Sequence, residues 1–477
     1  MEEYIKKLLE QVRFEKAHKS ISDELRAHIE DQIEVNISDG MEKEAAEKRA
    51  VEDMGDPVEA GIALDKVHRP QIAWGVIIAA LVVGMIGIII RLFLSKVPSM
   101  GPSSYSAEYS MHSIFGNVTV GPVGWHIYNV IRGIVVMLFL YLIDYTTVAK
   151  YSKIATVILL GFYSISTLIY KKLMLISTSY SEIPDSYLYL YDAFKWAGPL
   201  VFLLVPLYAG IIYKYKGQKY KGLLKSLIWM GVIGIGASGY YQEYRAIVIV
   251  ICLLAELTIA IKKEWIKVPK IPVIAMLWSV ILVVPVVLVR IMYEKGLINE
   301  KQMYFAWSLL ASDTSKNNAK EVLSGVKAFG SGNVRYMGGE LTVSTRNLVV
   351  SQNYNNFDYE NYMMTKIAAI WGAVLVLAII AAVAALIVFG FVSTAKTKNQ
   401  LGVVMGSGCM MWLTINALLN MLVGLGVLPD YRTSTFFPFI ATHKVVASYA
   451  LLGIILSIYK YKNAYPKHVD IGFRKKR

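Results

Sequence analysis

Ten long apolar stretches run through the chain, and they restrict its fold more than any other feature. They lie near residues 72–94, 123–143, 153–170, 196–213, 223–239, 245–261, 271–291, 363–393, 400–424 and 439–459. Each is long enough, or nearly so, to cross a hydrocarbon core about 30 Å thick. The expected architecture is an all-α polytopic membrane protein with ten transmembrane helices, preceded by a small helical domain. Composition agrees. Of 477 residues 55% are hydrophobic and 18% charged, too little polar surface for a set of soluble domains.

Loop charge orients the spans. Lys150 and Lys153 follow the second span, and Lys214, Lys216, Lys219 and Lys221 the fourth. Lys262, Lys263, Lys267 and Lys270 follow the sixth, and Lys396 and Lys398 the eighth. A basic tail, residues 461–477, closes the chain. Every second loop is lysine-rich, which by the positive-inside rule places both termini in the cytoplasm. The net charge of +14 divides unevenly: residues 1–70 hold 18 acids against 11 basic residues, the remainder 38 basic residues against 17 acids. That surplus sits at span ends and comes with no nucleic-acid motif, so no nucleic-acid partner is expected.

Two cysteines, Cys252 and Cys409, both within apolar runs, exclude a disulfide framework and a thiolate metal cluster. The seven histidines show no paired-ligand spacing. The charged opening MEEYIKKLLEQVRFEKAH is unlike a cleavable signal peptide.

Residues 1–70 read as four short helices. Ile5, Leu8, Leu9 and Val12 form the apolar stripe of the first; Ser20 or Ser22 caps a second bearing Leu25, Ile29 and Ile33 and ending at Asp39-Gly40. A third runs from about Met41 to Met54, and Asp56-Pro57 starts a fourth. Far from the head in sequence lies a long connection, residues 292–362, between the seventh and eighth spans. Connections of this length are more often functional than idle. Its KAFGSGNVRYMGG stretch supplies glycines, Gly338 and Gly339 among them, that permit close approach of backbone to a ligand.

The run ELRAHIEDQIEV with SDGMEKEAAEKRAVEDMGDPVEAGIALDKVH resembles the small prefix domain found ahead of some bacterial permeases and sensor-like membrane proteins. That resemblance implies a cytosolic regulatory module with a cytosolic partner. From about residue 72 to 460 the chain resembles the SEDS family (shape, elongation, division and sporulation proteins), the FtsW/RodA/SpoVE group. The stretches that carry it are WHIYNVIRGIVVMLFLYLIDY, YDAFKWAGPLVFLL with Asp192 and Lys195, AFGSG before Gly338-Gly339, and INALLNMLVGLGVLPDY with Asn416 and Asn420.

The resemblance implies a protein of cell-wall biosynthesis serving cell division, cell shape or sporulation. Its members polymerise lipid II, the undecaprenyl-pyrophosphate-linked precursor of peptidoglycan. Expected partners are a class B penicillin-binding transpeptidase and division or elongation proteins. The reaction is glycosyl transfer: an acceptor hydroxyl attacks the donor's anomeric carbon, a general base takes the proton, and the lipid pyrophosphate leaves toward positive charge. No cofactor is fixed, with a divalent cation, Mg or Mn, as the candidate.

Family members carry the base, an aspartate, in an Asp-Phe-x-Phe segment opening the eighth span. Aligned on Trp371-Gly372, this chain has Asn361-Tyr362-Met363-Met364, and an amide cannot take the proton. Asp358 and Glu360 lie three and one residues earlier. In a helix Asp358 shares nearly the face of Asn361 while Glu360 points about 100° away, which makes Asp358 the better stand-in. Two further patterns are reduced: Pro438 to Lys444 lacks the family's paired glycines, and Gln242-Glu243-Tyr244 stands for Gln-Pro-Asp.

Candidate substrate contacts are Lys195 for the diphosphate, Asp192 to orient it, Arg290 at the groove border, and Gly338 and Gly339. Asn416 and Asn420, four residues apart, share a helix face and are expected to hydrogen-bond between helices. Arg132 and Glu256, within spans, are expected to be paired structural groups. The first functional reading is a SEDS-type protein that binds lipid-linked precursor beneath residues 292–362, with a non-catalytic member slightly favoured by Asn361. The alternatives are a membrane sensor or scaffold signalling through residues 1–70, and a lipid flippase or transporter, against which the lack of an internal repeat counts.

Overall fold

A backbone in a bilayer must satisfy its polar groups within itself, and helices do so. The structure, a computed structural model, describes residues 1–95, 109–113, 116–120, 122–176, 197–238, 243–296, 320, 323–324, 326–329, 334–337, 340–343, 363–428, 438–439 and 444–469.

Four helices form the head: α1 (Glu2–Glu10), α2 (Glu15–Ser38), α3 (Lys43–Asp53) and α4 (Pro57–His68). Ile5, Leu8, Ile21, Leu25 and Ile29 meet in a core of their own. Contrary to the expected cap at Ser20 or Ser22, α2 begins at Glu15, because Ala17 and Ile21 carry its apolar stripe back toward Phe14. It stops where predicted: Gly40 adopts φ 93, and the Met41 amide donates to Asn36 O at 3.1 Å. Asp56 caps α4 by accepting from the Val58 amide at 3.1 Å, with Pro57 at the first helical position.

The apolar runs coil into α5 (Trp74–Ser95), α6 (Pro122–Leu142), α8 (Ser152–Ile176), α9 (Leu204–Tyr213, entered through the turns Ala197–Leu200 and Val201–Leu203), α10 (Tyr220–Ala237), α11 (Glu243–Lys262) and α12 (Lys270–Glu294). They continue as α13 (Met363–Trp371), α14 (Ala373–Ala395), α15 (Gln400–Gly424) and α16 (Val445–Lys460); a short α7 (Tyr145–Lys150) joins α6 to α8. Among the described residues, five stretches are long and apolar enough to cross a membrane: Trp74–Phe93, Val123–Leu142, Ser152–Ile169, Ala373–Ala395 and Gln400–Gly424. The described parts of the other apolar helices are shorter or carry charges, as α10 does at Lys221 and Lys225. The chain is thus a multi-pass membrane protein.

Two expectations change. The eighth run, 363–393, is two helices broken at Gly372, and the tenth helix starts only at Val445, with Phe439 outside it at φ 68. The described residues are also not wholly helical. Two short antiparallel hairpins pair Tyr109–Ser113 with Gly116–Val120 (β1, β2) and Val334–Met337 with Glu340–Val343 (β3, β4). Both lie in connections between apolar runs, where β-branched residues such as Val118, Thr119, Val120, Thr342 and Val343 favour extended backbone.

At the centre α9, α11 and α15 pack against one another, and every residue of α9 is buried. Around them α16 seats closely on α6, where a methyl group at Gly453 would stand 2.5 Å from Met137 O.

The lysine-rich loops gather at one end, the end that bears the head. Lys214 Nζ donates to Lys150 O at 2.8 Å, the Gly217 amide to Trp265 O at 2.8 Å, and Trp265 Nε1 to Gln400 Oε1 at 2.8 Å. The Lys398 amide donates to Lys462 O at 3.1 Å, and the Gln71 amide to Lys460 O at 3.3 Å. Alternation of charge along the sequence has become a single hydrogen-bonded platform.

Candidate functional site

At the end opposite the head, the break between α13 and α14 organises the surroundings. Gly372 has φ 96 and ψ 168, a backbone region that is essentially glycine's alone. Residues 327–329, part of the KAFG stretch, strap across it. The Ala373 amide donates to Lys327 O at 3.0 Å and the Val374 amide to Ala328 O at 3.1 Å, which satisfies donors that the start of a helix leaves open. Thr365 Oγ1 donates to Gly424 O at 2.7 Å and so ties α13 to the end of α15. Between these helices lies an apolar cavity of about 70 Å³, lined by Leu323, Met364, Ala368, Ile380 and Met421 among others. Phe329, on the strap, stands exposed. The signal for this break was a lone glycine inside an apolar run.

The predicted catalytic and phosphate-binding residues Asp358, Glu360, Asn361, Asp192 and Lys195 lie outside the described residues, as do Gly338 and Gly339. The pairing of Met337 with Glu340 leaves just that glycine pair between β3 and β4. Arg290 is exposed and its Nε lies 2.6 Å from Glu294 Oε1, one turn along the same helix. Asn416 and Asn420 are both buried in α15. Asn416 departs from the expected interhelical bond: its Nδ2 donates to Trp412 O at 2.8 Å, within its own helix.

Glu256 was expected to be paired. It sits in α11 at the centre of the α9–α11–α15 packing, fully buried, and neither carboxyl oxygen has a hydrogen-bond partner among the described residues. Its neighbours are Tyr208 of α9, Cys252 of its own helix and Cys409 of α15. Gly408 of α15 makes the room; any side chain there would overlap Glu256 Oε1. Burying a lone carboxylate costs several kcal/mol. Arg132, in α6, stacks over the Tyr128 ring with 5.7 Å to its centroid.

At the head end, Asp144 is the meeting point. It caps α7 by accepting from the Thr146 amide at 2.9 Å, and it pairs with Lys16 Nζ at 2.8 Å. The Tyr465 hydroxyl donates to the same carboxylate. Burial, then the Asp144 carboxylate, push the Tyr465 phenol above its ordinary value. Burial disfavours the Lys16 charge, but Asp144 more than offsets it and holds that amine above its ordinary value. Phe14 stacks on Tyr461 with ring centroids 5.6 Å apart, and Asn463 Nδ2 donates to Val67 O at 3.0 Å. The head is therefore seated on the membrane helices by named bonds. No group of three or more metal-ligating side chains occurs among the described residues.

No protein-family model matches the sequence, and no curated protein does. A solved structure shares the fold. A chain of a peptidoglycan synthase complex, described for its coordination of polymerization and crosslinking, superposes with a TM-score of 0.51 at 13% identity, covering 82% of this chain and 98% of that one. A mutant of the Thermus thermophilus rod shape determining protein RodA gives a TM-score of 0.43 at 13% identity over the same shares.

Proposed function

We propose that this chain is a SEDS-type membrane protein of peptidoglycan and envelope biogenesis, holding a lipid-linked precursor at the end opposite the head. One observation carries the reading: the fold extends over 98% of a chain from a peptidoglycan synthase complex. The local geometry supports it. A small apolar recess of about 70 Å³ between α13, α14 and α15 has room for a small part of an acyl or polyprenyl chain, and the strap ties residues 327 and 328 of the long connection to the start of α14.

In this reading the chain crosses the membrane ten times with both ends in the cytoplasm, and residues 292–362 cover the precursor from outside. Lys195, oriented by Asp192, faces the diphosphate. Asn361 holds the place of the family's base, so the chain binds precursor and does not polymerise it unless Asp358 or Glu360 takes the proton. By analogy with the complex, a class B transpeptidase is the partner. Lipid II polymerisation by the reconstituted parent, Asp358→Ala, Glu360→Ala and Asn361→Asp is the test. Polymer from Asn361→Asp alone identifies a groove that lost its base; polymer from the parent that vanishes in Asp358→Ala identifies a relocated one. Absence of precursor binding from all four would refute the reading.

A second reading, a membrane sensor or scaffold that signals through the head, draws on the seating of the head by Lys16, Asp144 and Tyr465. Removal of residues 1–70 would abolish every phenotype of a sensor and leave precursor binding intact in an envelope protein.

A further inference from the structure

A second recess lies at the opposite end from the proposed precursor groove, between the head and the lysine-rich platform. It encloses about 790 Å³, within the range of about 300–1,000 Å³ usual for small-molecule sites. Its two walls carry opposite charge. The head contributes Asp23 and Glu24; the platform contributes Lys263, Lys398 and Lys467, each from a different loop.

The three lysines are held in place by their backbone: the Lys263 amide donates to Ile259 O at 2.9 Å, and the other two are fixed where the tail meets the loop before α15. The Lys398 amide donates to Lys462 O at 3.1 Å, Lys467 O accepts from the Gln400 amide at 3.1 Å, and Asn399 Nδ2 donates to Pro466 O at 2.7 Å. Yet none of the three has an ion-pair partner among the described residues, and the carboxylates of Asp23 and Glu24 do not close on them across the gap. Positive charge here is felt by its neighbours: burial first, then Lys216 and Lys467, hold His468 below its ordinary value, and burial followed by Lys467 does the same to Lys216. On the same wall the buried Thr397 hydroxyl finds no hydrogen-bond partner among the described residues. Lysines outside any ion pair among the described residues, with only the Glu264 carboxylate under the influence of Lys467, together with the Thr397 hydroxyl and an acidic wall opposite, describe a complementary ligand. It has a phosphate for the lysines, and an amine or other donor group for the acids.

We propose that this recess binds a phosphate ester that carries hydrogen-bond donors at its other end, either a free nucleotide or the headgroup of phosphatidylethanolamine. Such a ligand bridges the head and the membrane helices across the same gap that Lys16 and Asp144 span. The proposal is independent of what occupies the groove at the far end.

The test uses the full chain in nanodiscs of phosphatidylcholine, titrated with ATP and with inorganic pyrophosphate, and in nanodiscs that contain phosphatidylethanolamine. Binding is read by calorimetry and by the shift in unfolding temperature. Lys398→Gln with Lys467→Gln is expected to weaken the bound probe at least about tenfold, as expected when charge-assisted bonds are lost. Lys221→Gln, an exposed lysine away from the recess, is expected to leave it unchanged. Asp23→Asn with Glu24→Gln is expected to weaken ATP and spare pyrophosphate. Binding of ATP in phosphatidylcholine assigns the site to a free nucleotide; stabilisation confined to phosphatidylethanolamine discs and lost in the lysine variant assigns it to the lipid. No response to any of the three probes, or a response that the lysine variant leaves unchanged, overturns the proposal.

Discussion

Replacing Gly372 with alanine tests the strapped break directly. Two penalties act at this position. With φ 96 and ψ 168 the backbone lies where a side chain is strained, a cost of about 1–3 kcal/mol. The added methyl would also stand 2.6 Å from Ala328 O and 2.9 Å from Phe329 Cα, both backbone atoms of the strap. Overpacking of that kind costs about 1–3 kcal/mol. The two strains relax together when the strap moves, so about 2–4 kcal/mol is the expected total. Gly161→Ala is the internal control, because that glycine has helical backbone in α8 and nothing within 4 Å of the new methyl. In the control, helix propensity makes alanine neutral or better by up to about 1 kcal/mol. Both variants would be purified in one detergent and compared with the parent by thermal unfolding, with protease cleavage near residues 326–329 as a local readout. A Gly372→Ala protein as stable as Gly161→Ala, with no faster cleavage, would refute the assignment of α13 and α14 as two helices pinned by the strap.

Further outcomes are expected at other points of the fold. Gly408→Ala places a methyl onto Glu256 Oε1 and should cost about 1–3 kcal/mol; Glu256→Ala vacates that space, so the double variant should lose less than the sum of the singles, and strictly additive unfolding temperatures would sink the packing argument. Asp144→Asn should loosen the head by no more than about 1 kcal/mol because Lys16 is half exposed, whereas Asp144→Ala also removes the α7 cap and adds about 1 kcal/mol, both read as faster proteolysis of residues 69–73. His468 is held below its ordinary value of 6.5, so the unfolded chain takes up its proton first as pH falls. Stability from this group is therefore present above pH 6.5 and lost as pH drops through the lower folded value, and His468→Gln should flatten that slope.

How much of this was written plainly in the sequence varies by element. The head was, because its helices carry their own stop signals, Gly40 and Gly55 at positive φ and Asp56-Pro57 as cap and first turn. The misplaced start of α2 arose because two serines looked like caps while Ala17 and Ile21 extended the apolar face behind them. Lysine spacing foretold that loops far apart in sequence would share one end of the molecule, and bonds such as Lys214 to Lys150 O bear that out. Interior polar groups were far less legible. A hydropathy pattern records that Glu256 lies in a span but not that it faces Gly408 across a helix pair, since that depends on the rotation of α11 against α15. Asn416 and Asn420 suggested a bond between helices; Asn416 instead bonds back to Trp412, an option always open to a side chain four residues on.

α15 joins the two ends that matter. Its first turn is fastened at the head side: Asn399 Oδ1 accepts from the Leu401 and Gly402 amides at 3.0 and 3.2 Å, while Nδ2 holds Pro466 O. Midway, Gly408 receives Glu256, and at the far end Gly424 O accepts from Thr365 of α13. At 25 residues the helix spans about 37 Å, close to the thickness of a bilayer with part of its headgroups. An apolar helix so buried along its length cannot bend gradually without opening gaps among its neighbours. A shift of the tail at Pro466 therefore has two outlets. Either the Asn399 bonds break and the change stays at the head end, or α15 moves as a rod and carries the Thr365 tie with it. Because Asn399 bonds to its own helix and to the tail at once, breaking it forfeits a cap worth about 1 kcal/mol together with a buried amide bond. Sliding the rod forfeits packing along the whole buried length of α15, the contact of Glu256 with Gly408 included. A shift at Pro466 is therefore taken up at the Asn399 bonds, the weaker restraint, while α15 keeps its place against Glu256 and Thr365.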